Sequence, residues 1–316
     1  MRVVVPDGDA GLRDPDVAAL LADAGHALVW EEGVPPDVDG FVARCRTADA
    51  LLVLWELPSG VLTACPSVRA LSWAGTGVGT FVDLAEAARC GVTVCNVPSY
   101  GANAIAEHAL ALLLAVARSV PAGDRALRDG RWAPADGVEL AGRRLGIVGL
   151  GPIGTRMAAL GRAVGMDVVA WTRTATPERA AAAGVPLVAL DELFATSDAV
   201  SLHVAATAET AGLVDAALLG RMRPGAILVN TARAEVVDRD ALLAALRDGR
   251  LRGAGLDVFA TEPLPADDPL LAEPRLVLTP HVAYRTPEAS RELMRIATAN
   301  LVQWAAGRPQ NVVVGG

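Results

Sequence analysis

The chain contains no lysine, so all 28 of its basic side chains are arginines. Without a lysine it cannot form a Schiff base with a carbonyl substrate. Nor can it build the lysine-containing phosphate loop found in many nucleotide-binding proteins. A lysine acting as general acid or base is excluded as well. Any proton transfer must therefore be carried out by other side chains.

Cysteine is scarce too, with four residues in the chain. Cys45, Cys65, Cys90 and Cys95 show neither a C-x-x-C pair nor the spacing of a metal-binding set. We interpret them as small hydrophobic residues with free thiols, and we expect no metal site.

Long apolar segments and basic runs are also missing. The net charge of −8 argues against nucleic acid as a partner. Residues 1–7 have no signal-peptide pattern, and the most apolar helix candidate, Ala109–Ala117, is too short to cross a bilayer. With 52% apolar residues, we expect a soluble cytoplasmic chain with a large core and no membrane partner.

The most informative motif present is a glycine-rich turn near the middle of the chain. It lies between the predicted strand Arg144–Val148 and a predicted helix, and a second strand, Val168–Trp171, follows. The turn consists of Gly149, Leu150, Gly151, Pro152, Ile153 and Gly154. In this context G-x-G-x-x-G binds a dinucleotide, with the pyrophosphate at the helix N-terminus. We therefore predict a dinucleotide cofactor.

Strand and helix patterns alternate on both sides of this turn, which indicates parallel sheets covered by helices. A long helix is predicted from Ala102 to Arg118, then a polar stretch, Pro121–Asp136. One last helix, Pro287–Ala306, is too little for a third domain and is expected to pack on the first. We predict an α/β protein of two doubly wound parallel-sheet domains. A Rossmann dinucleotide-binding domain (99–285) is inserted into a flavodoxin-like substrate domain (1–98 plus 286–316).

Three polar side chains follow predicted strands of the second half, at the sheet edge where such folds bind ligands. Arg233 is suited to hold a carboxylate with two hydrogen bonds, and His281 to exchange a proton with a hydroxyl group. Glu262 can orient that histidine and favour its protonated form. Taken singly, each has an ordinary interpretation: a surface arginine, a loop glutamate, a buried histidine. Together, behind a dinucleotide turn, they indicate a dehydrogenase.

The same residues carry a family resemblance that extends over nearly the whole chain. The motifs, in order, are Ala74–Val78, Asn96–Pro98, Ala106–His108, Gly149–Gly154, Asn230–Arg233, Gly255–Phe259, Glu262-Pro263 and Thr279–His281. By these motifs the chain resembles the D-isomer-specific 2-hydroxyacid dehydrogenases.

The resemblance implies a catalytic set of Arg233, Glu262 and His281, and a homodimer formed with the help of the helix from Ala102. It also implies that the backbone amides around Gly75, Thr76 and Gly77 bind the substrate carboxylate. Further cofactor contacts are implied for His203, Val204, Ala205, Thr210, Thr231, Ala232 and Asp257.

The residues after the second strand of the dinucleotide fold bear on the choice of cofactor. NAD enzymes usually place a carboxylate there for the ribose hydroxyls, whereas this chain has Thr172, Arg173 and Thr174. An arginine flanked by hydroxyl groups suits a 2′-phosphate, so NADP(H) is favoured over NAD(H). The alternative is that Arg173 stacks on adenine, which would also permit NAD(H).

The substrate is less well defined by the sequence. In the similar dehydrogenases that act on 3-phosphoglycerate, arginines lie near the positions of Leu54 and Trp73. This chain has no arginine at either position, so a phosphorylated substrate is disfavoured. Trp55 and Tyr284 are candidates for the pocket wall, although a tryptophan is as often a core residue. We expect a small 2-oxo acid similar to glyoxylate or hydroxypyruvate, reduced to the D-2-hydroxy acid. The alternative function is a non-catalytic dinucleotide sensor of the same fold, similar to corepressors.

Overall fold

The computed structural model describes residues 1–315, apart from the side chains of Pro177 and Ala182. The chain forms two compact units. One joins Met1–Gly101 to the C-terminal segment from Thr286, and the other is Ala102–Arg285. The second unit is thus inserted into the first. The sequence places the first boundary after residue 98, three residues before the division at Gly101.

The first unit is built on a six-stranded sheet. Its strands are β1 (Arg2–Gly8), β2 (Ala27–Glu32), β3 (Ala50–Val53), β4 (Ala70–Trp73), β5 (Thr93–Cys95) and, near the C-terminus, β12 (Val312–Val314). Its helices are α1 (Pro15–Asp23), α2 (Val38–Cys45), α3 (Val61–Ala64), α4 (Leu84–Arg89) and, from the C-terminal segment, α12 (Pro287–Ala305). The strand order is β12-β5-β4-β3-β1-β2. The first five strands give the flavodoxin-like order 2-1-3-4-5.

Strand β12 corrects the prediction that only a helix follows His281. It pairs antiparallel with β5, so this sheet is not wholly parallel. The strands β3 and β4 are buried along their whole length, as expected for central parallel strands with helices on both faces. Helices α1 and α12 contact each other, and Leu293 and Leu301 of α12 belong to the core on one face of the sheet. The last helix thus packs on the sheet of the first unit.

The second unit contains the other six strands and seven α-helices within the described residues. Its strands are β6 (Arg144–Val148), β7 (Asp167–Trp171), β8 (Ala199–Leu202), β9 (Ala226–Asn230), β10 (Leu251–Leu256) and β11 (Leu276–Leu278). Its helices are α5 (Ala102–Ala117), α6 (Val120–Arg128), α7 (Pro152–Ala163), α8 (Pro177–Ala183), α9 (Leu190–Thr196), α10 (Ala216–Arg221) and α11 (Arg239–Arg247).

These strands pair in the order β7-β6-β8-β9-β10-β11, all in parallel. Leu187 adds an isolated parallel bridge to Ala170 on β7. If this bridge is counted as a third strand beside β7, the sheet from the bridge to β10 has the Rossmann order 3-2-1-4-5-6. Strand β11 is then an addition at the far edge. The chain reverses its direction of winding between β6 and β8, so a ligand is expected beside the glycine turn that follows β6.

Helix α6 corrects a second expectation, because the predicted polar stretch 121–136 begins inside it. Within the described residues no single helix is long and apolar enough to span a membrane; α5 and α6 reach that length only as a pair bent by 62°. Much of α5 is buried in the core of its unit, where Leu112 and Leu113 pack against the sheet.

Candidate active site

The glycine turn is shaped by two close backbone contacts. Gly149 has φ +102°, and a Cβ there would lie 2.5 Å from the carbonyl oxygen of His203. A Cβ on Gly154 would collide with the carbonyl oxygen of Gly149. Gly151 instead has no atoms beyond its chain neighbours within 4 Å of its missing Cβ, and it precedes helix α7 without a side-chain cap. The turn therefore leaves an open cradle at a helix N-terminus, which fits a pyrophosphate.

A second feature of this edge fits a cofactor. Thr231, directly after β9, is 8% exposed, and its hydroxyl oxygen has no hydrogen-bond partner within residues 1–315. Buried hydroxyl groups are nearly always paired, so an unpaired one facing a binding edge favours a ligand. The neighbouring backbone is fixed by Asn230, whose side chain accepts from the Ala232 N–H at 2.9 Å and donates to the Arg233 carbonyl at 2.9 Å. Asn230 belongs to one of the sequence motifs, but the sequence did not predict it as a site residue.

The loop after β7 carries the residues expected to select the cofactor. Thr172 is 9% exposed, and Arg173 extends from the loop to form an ion pair with Glu209. Arg179 of α8 reaches back to the same loop and donates to the Thr172 hydroxyl at 3.4 Å and to the Thr174 carbonyl at 3.2 Å. Neither Glu209 nor Arg179 was identified from the sequence, because their contacts depend on tertiary structure.

The segment after β8, also assigned to the cofactor, is held by its own side chains. The Thr210 hydroxyl donates to the carbonyl of Ala205 at 2.6 Å. His203 bonds through Nε2 to the Ser201 hydroxyl at 2.8 Å, and burial lowers the pKa of His203 to about 3. The imidazole of His203 is therefore neutral at physiological pH. Val204 next to it packs against the core of the unit.

The strongest chemical feature is the pairing of His281 with Glu262. Nδ1 of His281 lies 2.6 Å from Oε2 of Glu262, while Oε1 of Glu262 accepts from the Phe259 N–H at 2.9 Å. The carboxylate must accept here, so Nδ1 carries a proton and Nε2 remains the atom available for chemistry. The Tyr284 ring stands edge-on to the imidazole, with centroids 6.2 Å apart. Both partners of the pair are about one-third exposed, so a substrate can reach them.

Arg233 lies at the end of the neighbouring strand β9, on the same carboxyl edge of the sheet. Its guanidinium donates from Nη1 to the carbonyl of Ala232 at 2.7 Å, and the side chain is half-buried. Nη1 of the guanidinium is thereby held by the backbone, and no hydrogen bond or ion pair within residues 1–315 occupies its other N–H groups. Such an arginine can bind a carboxylate.

Asp257 follows β10 and is 1% exposed. Its Oδ1 accepts from the Thr279 hydroxyl at 2.6 Å and the Val282 N–H at 3.0 Å, and its Oδ2 accepts from the Ala283 N–H at 2.9 Å. Burial raises the pKa of Asp257, but hydrogen bonds, including one from His108, outweigh it and lower the pKa overall. The family resemblance implies a cofactor contact for Asp257; in the structure its oxygens hold the loop that carries His281.

The residues expected to bind the substrate carboxylate lie in the first unit, after β4. Thr76 and Gly77 use neither backbone N–H in a hydrogen bond within the described part of the chain. Their loop is fixed by the Thr76 hydroxyl, which donates to the Val97 carbonyl at 3.1 Å, and by Asn96, which donates to the Thr76 carbonyl at 2.8 Å. Gly75 is buried beside the indole of Trp73. Two adjacent free N–H groups on a rigid loop suit an anion.

Trp55, the other first-unit candidate, is 36% exposed, so it is not a core residue. The backbone at Trp55 is anchored by Asp7, which accepts its N–H at 2.6 Å. Across residues 1–315, no group of three or more histidine, cysteine or carboxylate side chains is arranged to hold a metal ion.

Comparison with known proteins agrees with this arrangement. Residues 110–283 match the family described as D-isomer specific 2-hydroxyacid dehydrogenase, NAD binding domain. The chain is 43% identical over 279 residues to a D-3-phosphoglycerate dehydrogenase of Mycobacterium bovis, covering 87% of this chain but 52% of that protein. It therefore spans about half the length of the first curated relatives that it matches.

Other relatives are covered over most of their length. A glyoxylate reductase of Korarchaeum cryptofilum is 37% identical over 294 residues, covering 90% of this chain and 88% of the relative. Among solved structures, the TT0316 protein of Thermus thermophilus is 36% identical with a TM-score of 0.87, covering 99% of this chain and all of that one. From its sequence motifs, its two doubly wound sheets and these matches, the chain belongs to the D-isomer-specific 2-hydroxyacid dehydrogenase family.

Proposed function

We propose that the protein reduces a small 2-oxo acid to the D-2-hydroxy acid with a nicotinamide dinucleotide, NADP(H) in preference to NAD(H). The observation that carries this proposal is the His281–Glu262 pair at 2.6 Å, placed on the same sheet edge as the glycine turn and Arg233. A proton donor, a carboxylate ligand and a dinucleotide cradle are the three parts that this reaction requires.

Each residue then has a defined task. The glycine turn and Thr231 would hold the dinucleotide, which in its reduced form would supply the hydride. Arg233 binds the substrate carboxylate and polarises the adjacent carbonyl group. His281 donates a proton from Nε2 to the carbonyl oxygen as that oxygen gains charge, and Glu262 stabilises the imidazolium before transfer. In the oxidative direction, His281 takes the hydroxyl proton back.

The cofactor preference rests on charge near the loop after β7. The loop itself carries Arg173 and the hydroxyl group of Thr172, and Arg179 reaches it from helix α8. Glu209 opposes this preference, because it already pairs with Arg173. Arg173→Gln should weaken binding of NADPH at least tenfold more than binding of NADH, since a bond to a charged group contributes about 1.5–3 kcal/mol. Fluorescence titration of the two cofactors measures this, and equal losses for both would contradict a 2′-phosphate role.

The first unit favours an unphosphorylated substrate. Leu54 is 4% exposed and Trp73 is 5% exposed, and Trp73 stacks on Phe81 with ring centroids 4.8 Å apart. Neither position offers a cation to a phosphate group. The two free N–H groups of Thr76 and Gly77 instead suit a carboxylate, and the exposed ring of Trp55 lies on a neighbouring loop. These features support glyoxylate or hydroxypyruvate as the substrate class.

A homodimer is proposed as the assembled form, in the cytoplasm. The segment that follows α5 presents large apolar side chains to solvent, with Val120 and Leu127 each 58% exposed and Trp132 87% exposed. Because these large apolar side chains lie within 13 residues of one another, they support a surface covered by a second copy of the chain. Sedimentation should give a dimer for the wild type and a larger monomer fraction for Trp132→Ser.

The deciding experiment follows the absorbance of NADPH and of NADH with glyoxylate, hydroxypyruvate, pyruvate and an aromatic 2-oxo acid. Turnover that disappears in His281→Ala, with cofactor binding retained, supports the reductase. Tight cofactor binding without turnover of any acid would instead support a dinucleotide sensor.

A further inference from the structure

One histidine outside the expected catalytic set is bonded to the loop that carries His281. His108, on helix α5, lies with Nε2 2.9 Å from the hydroxyl oxygen of Thr279. The same hydroxyl donates to Oδ1 of Asp257 at 2.6 Å. His108 and Thr279 are 171 residues apart in the chain, so the contact exists only in the folded unit. No task in the proposed reaction uses His108.

The direction of these hydrogen bonds follows from the chemistry of each group. Asp257 is ionised at neutral pH, because hydrogen bonding lowers its pKa, and an ionised carboxylate can only accept. The Thr279 hydroxyl therefore gives its one hydrogen to Asp257, which leaves its oxygen to accept from His108. Nε2 of His108 must then carry a proton. The three side chains form a directed chain that runs from the imidazole through the hydroxyl group to the carboxylate, and Nε2 of His108 also lies 3.5 Å from Oδ1 of Asp257.

The loop held by this chain has an unfavourable backbone conformation at its most important residue. His281 has φ +51°, in the left-handed region that residues other than glycine seldom adopt. Asp257 bonds the residues on both sides of it: Thr279 before, and Val282 and Ala283 after. The loop is thus held at both ends by one carboxylate, and His108 holds the hydroxyl that forms one of those attachments.

We propose that His108 is a positioning residue for the reaction: through Thr279 and Asp257 it keeps the His281 loop in the conformation that aligns the imidazole for proton transfer. This inference rests on the proposed function, in which His281 is the proton donor. His108 touches neither His281 nor Glu262 in these bonds, so it acts only through the loop. Its loss should reduce the rate of the chemical step while leaving cofactor affinity unchanged.

The test compares variants that keep size but differ in the hydrogen-bond donor. His108→Gln retains a side-chain N–H, whereas His108→Leu does not. Thr279→Ser retains the hydroxyl group, and Thr279→Val removes it. His26→Ala, at a histidine of the first unit, is the control. We measure kcat, KM, NADPH affinity by fluorescence, and the primary isotope effect with 4-deuterated NADPH.

His108→Leu and Thr279→Val should each lower kcat about tenfold or more, as loss of a group that orients a reactive side chain usually does. NADPH affinity should stay within about twofold, and the isotope effect should rise. His108→Gln and Thr279→Ser should retain most of the activity. The kcat loss in the double variant His108→Leu/Thr279→Val should be smaller than the product of the two single losses, because both groups hold the same carboxylate. Multiplied losses, or an unchanged kcat in His108→Leu, would overturn the proposal.

A readout without turnover keeps the inference separable from the proposed function. Long-range ¹⁵N NMR resolves the four histidines of the chain. His108 should be the Nε2–H tautomer, and the His281 resonances should shift in His108→Leu but not in His26→Ala. A His108 found as the Nδ1–H tautomer, or His281 signals unmoved by His108→Leu, would refute the inference. Absence of turnover in the wild type would refute only the proposed function.

Discussion

Each of the two units contains a buried aspartate that follows one strand and holds the loop after a neighbouring strand. In the first unit Asp7, at the end of β1, accepts the backbone N–H groups of Leu54, Trp55 and Glu56. In the second unit Asp257, after β10, holds Thr279, Val282 and Ala283. Asp7 is completely buried, and Asp257 is 1% exposed. The burial is alike, and both carboxylates organise a loop at the carboxyl edge of a parallel sheet.

Their electrostatic properties are nevertheless opposite. Burial raises the pKa of Asp7, and the backbone hydrogen bonds that it accepts do not compensate. Burial also raises the pKa of Asp257, but there the side chains of His108 and Thr279 add hydrogen bonds, and the pKa is lowered overall. Asp257, whose loop carries His281, thus accepts hydrogen bonds from side chains, whereas Asp7, whose loop carries Trp55, accepts them from the backbone.

The largest expected contrast is between the side chains that these two loops carry. His281→Asn should reduce kcat by about 10²–10⁴-fold, because it removes the general acid, while NADPH affinity is kept. Trp55→Ala should change mainly the KM for the 2-oxo acid, since Trp55 is expected to line the pocket without exchanging protons. Steady-state kinetics of both variants with one substrate checks this. Comparable kcat losses in the two would remove the functional difference between the loops.

The sequence predicted the parts of the fold that depend on local patterns. The glycine turn, its flanking strands and the alternation of strand and helix gave both sheets, because apolar runs between glycine and proline signals define parallel strands. Strand β12 was not foreseen, since its pairing depends on the exposed edge of β5. Helix α6 was missed because Pro121 and Gly123, residue types that usually indicate a loop, lie near its start.

The candidate site was predictable where a residue type and its position after a strand suggest chemistry, as for Arg233, Glu262 and His281. The role of a residue was not predictable where it depends on a partner far away in the sequence. His108 was quoted within a motif, but its bond to Thr279 joins helix α5 to the loop after β11. The resemblance implied a cofactor contact for Asp257, and the sequence does not reveal that its two oxygens hold the His281 loop. Such contacts can be seen only in the folded unit.

A smaller contrast is expected when each carboxylate becomes an amide. Asp257→Asn places an NH₂ group against donors that need an acceptor, so the His281 loop is released and kcat should fall by about 10–100-fold. Asp7→Asn has the same local defect, but it displaces the loop of Trp55. For that variant we expect a several-fold higher KM and a kcat close to that of the wild type. Kinetics at matched NADPH saturation tests both. A kcat for Asp257→Asn near the wild-type value would argue that its loop is held by other contacts.

The smallest and most specific effect concerns stability at acid pH, where the two carboxylates should act with opposite sign. The pKa of Asp257 is below its ordinary value of 3.8, so its contribution is present above that pH and is lost as the pH falls through the folded pKa. The pKa of Asp7 is above 3.8, so its protonated form is favoured on folding. Its contribution is therefore largest below pH 3.8 and is lost as the pH rises through the folded pKa.

Urea unfolding of the wild type, Asp7→Asn and Asp257→Asn between about pH 3 and pH 7 measures this difference, at about 1.4 kcal/mol for each unit of pKa shift. In the wild type, Asp257 makes the free energy of unfolding rise with pH, and Asp7 makes it fall with pH. Asp257→Asn should remove the rise, and Asp7→Asn should remove the fall. The two difference curves should have slopes of opposite sign. Slopes of the same sign would show that the pKa values of both carboxylates shift in the same direction. The side-chain donors around Asp257 would then not outweigh the effect of burial on its pKa.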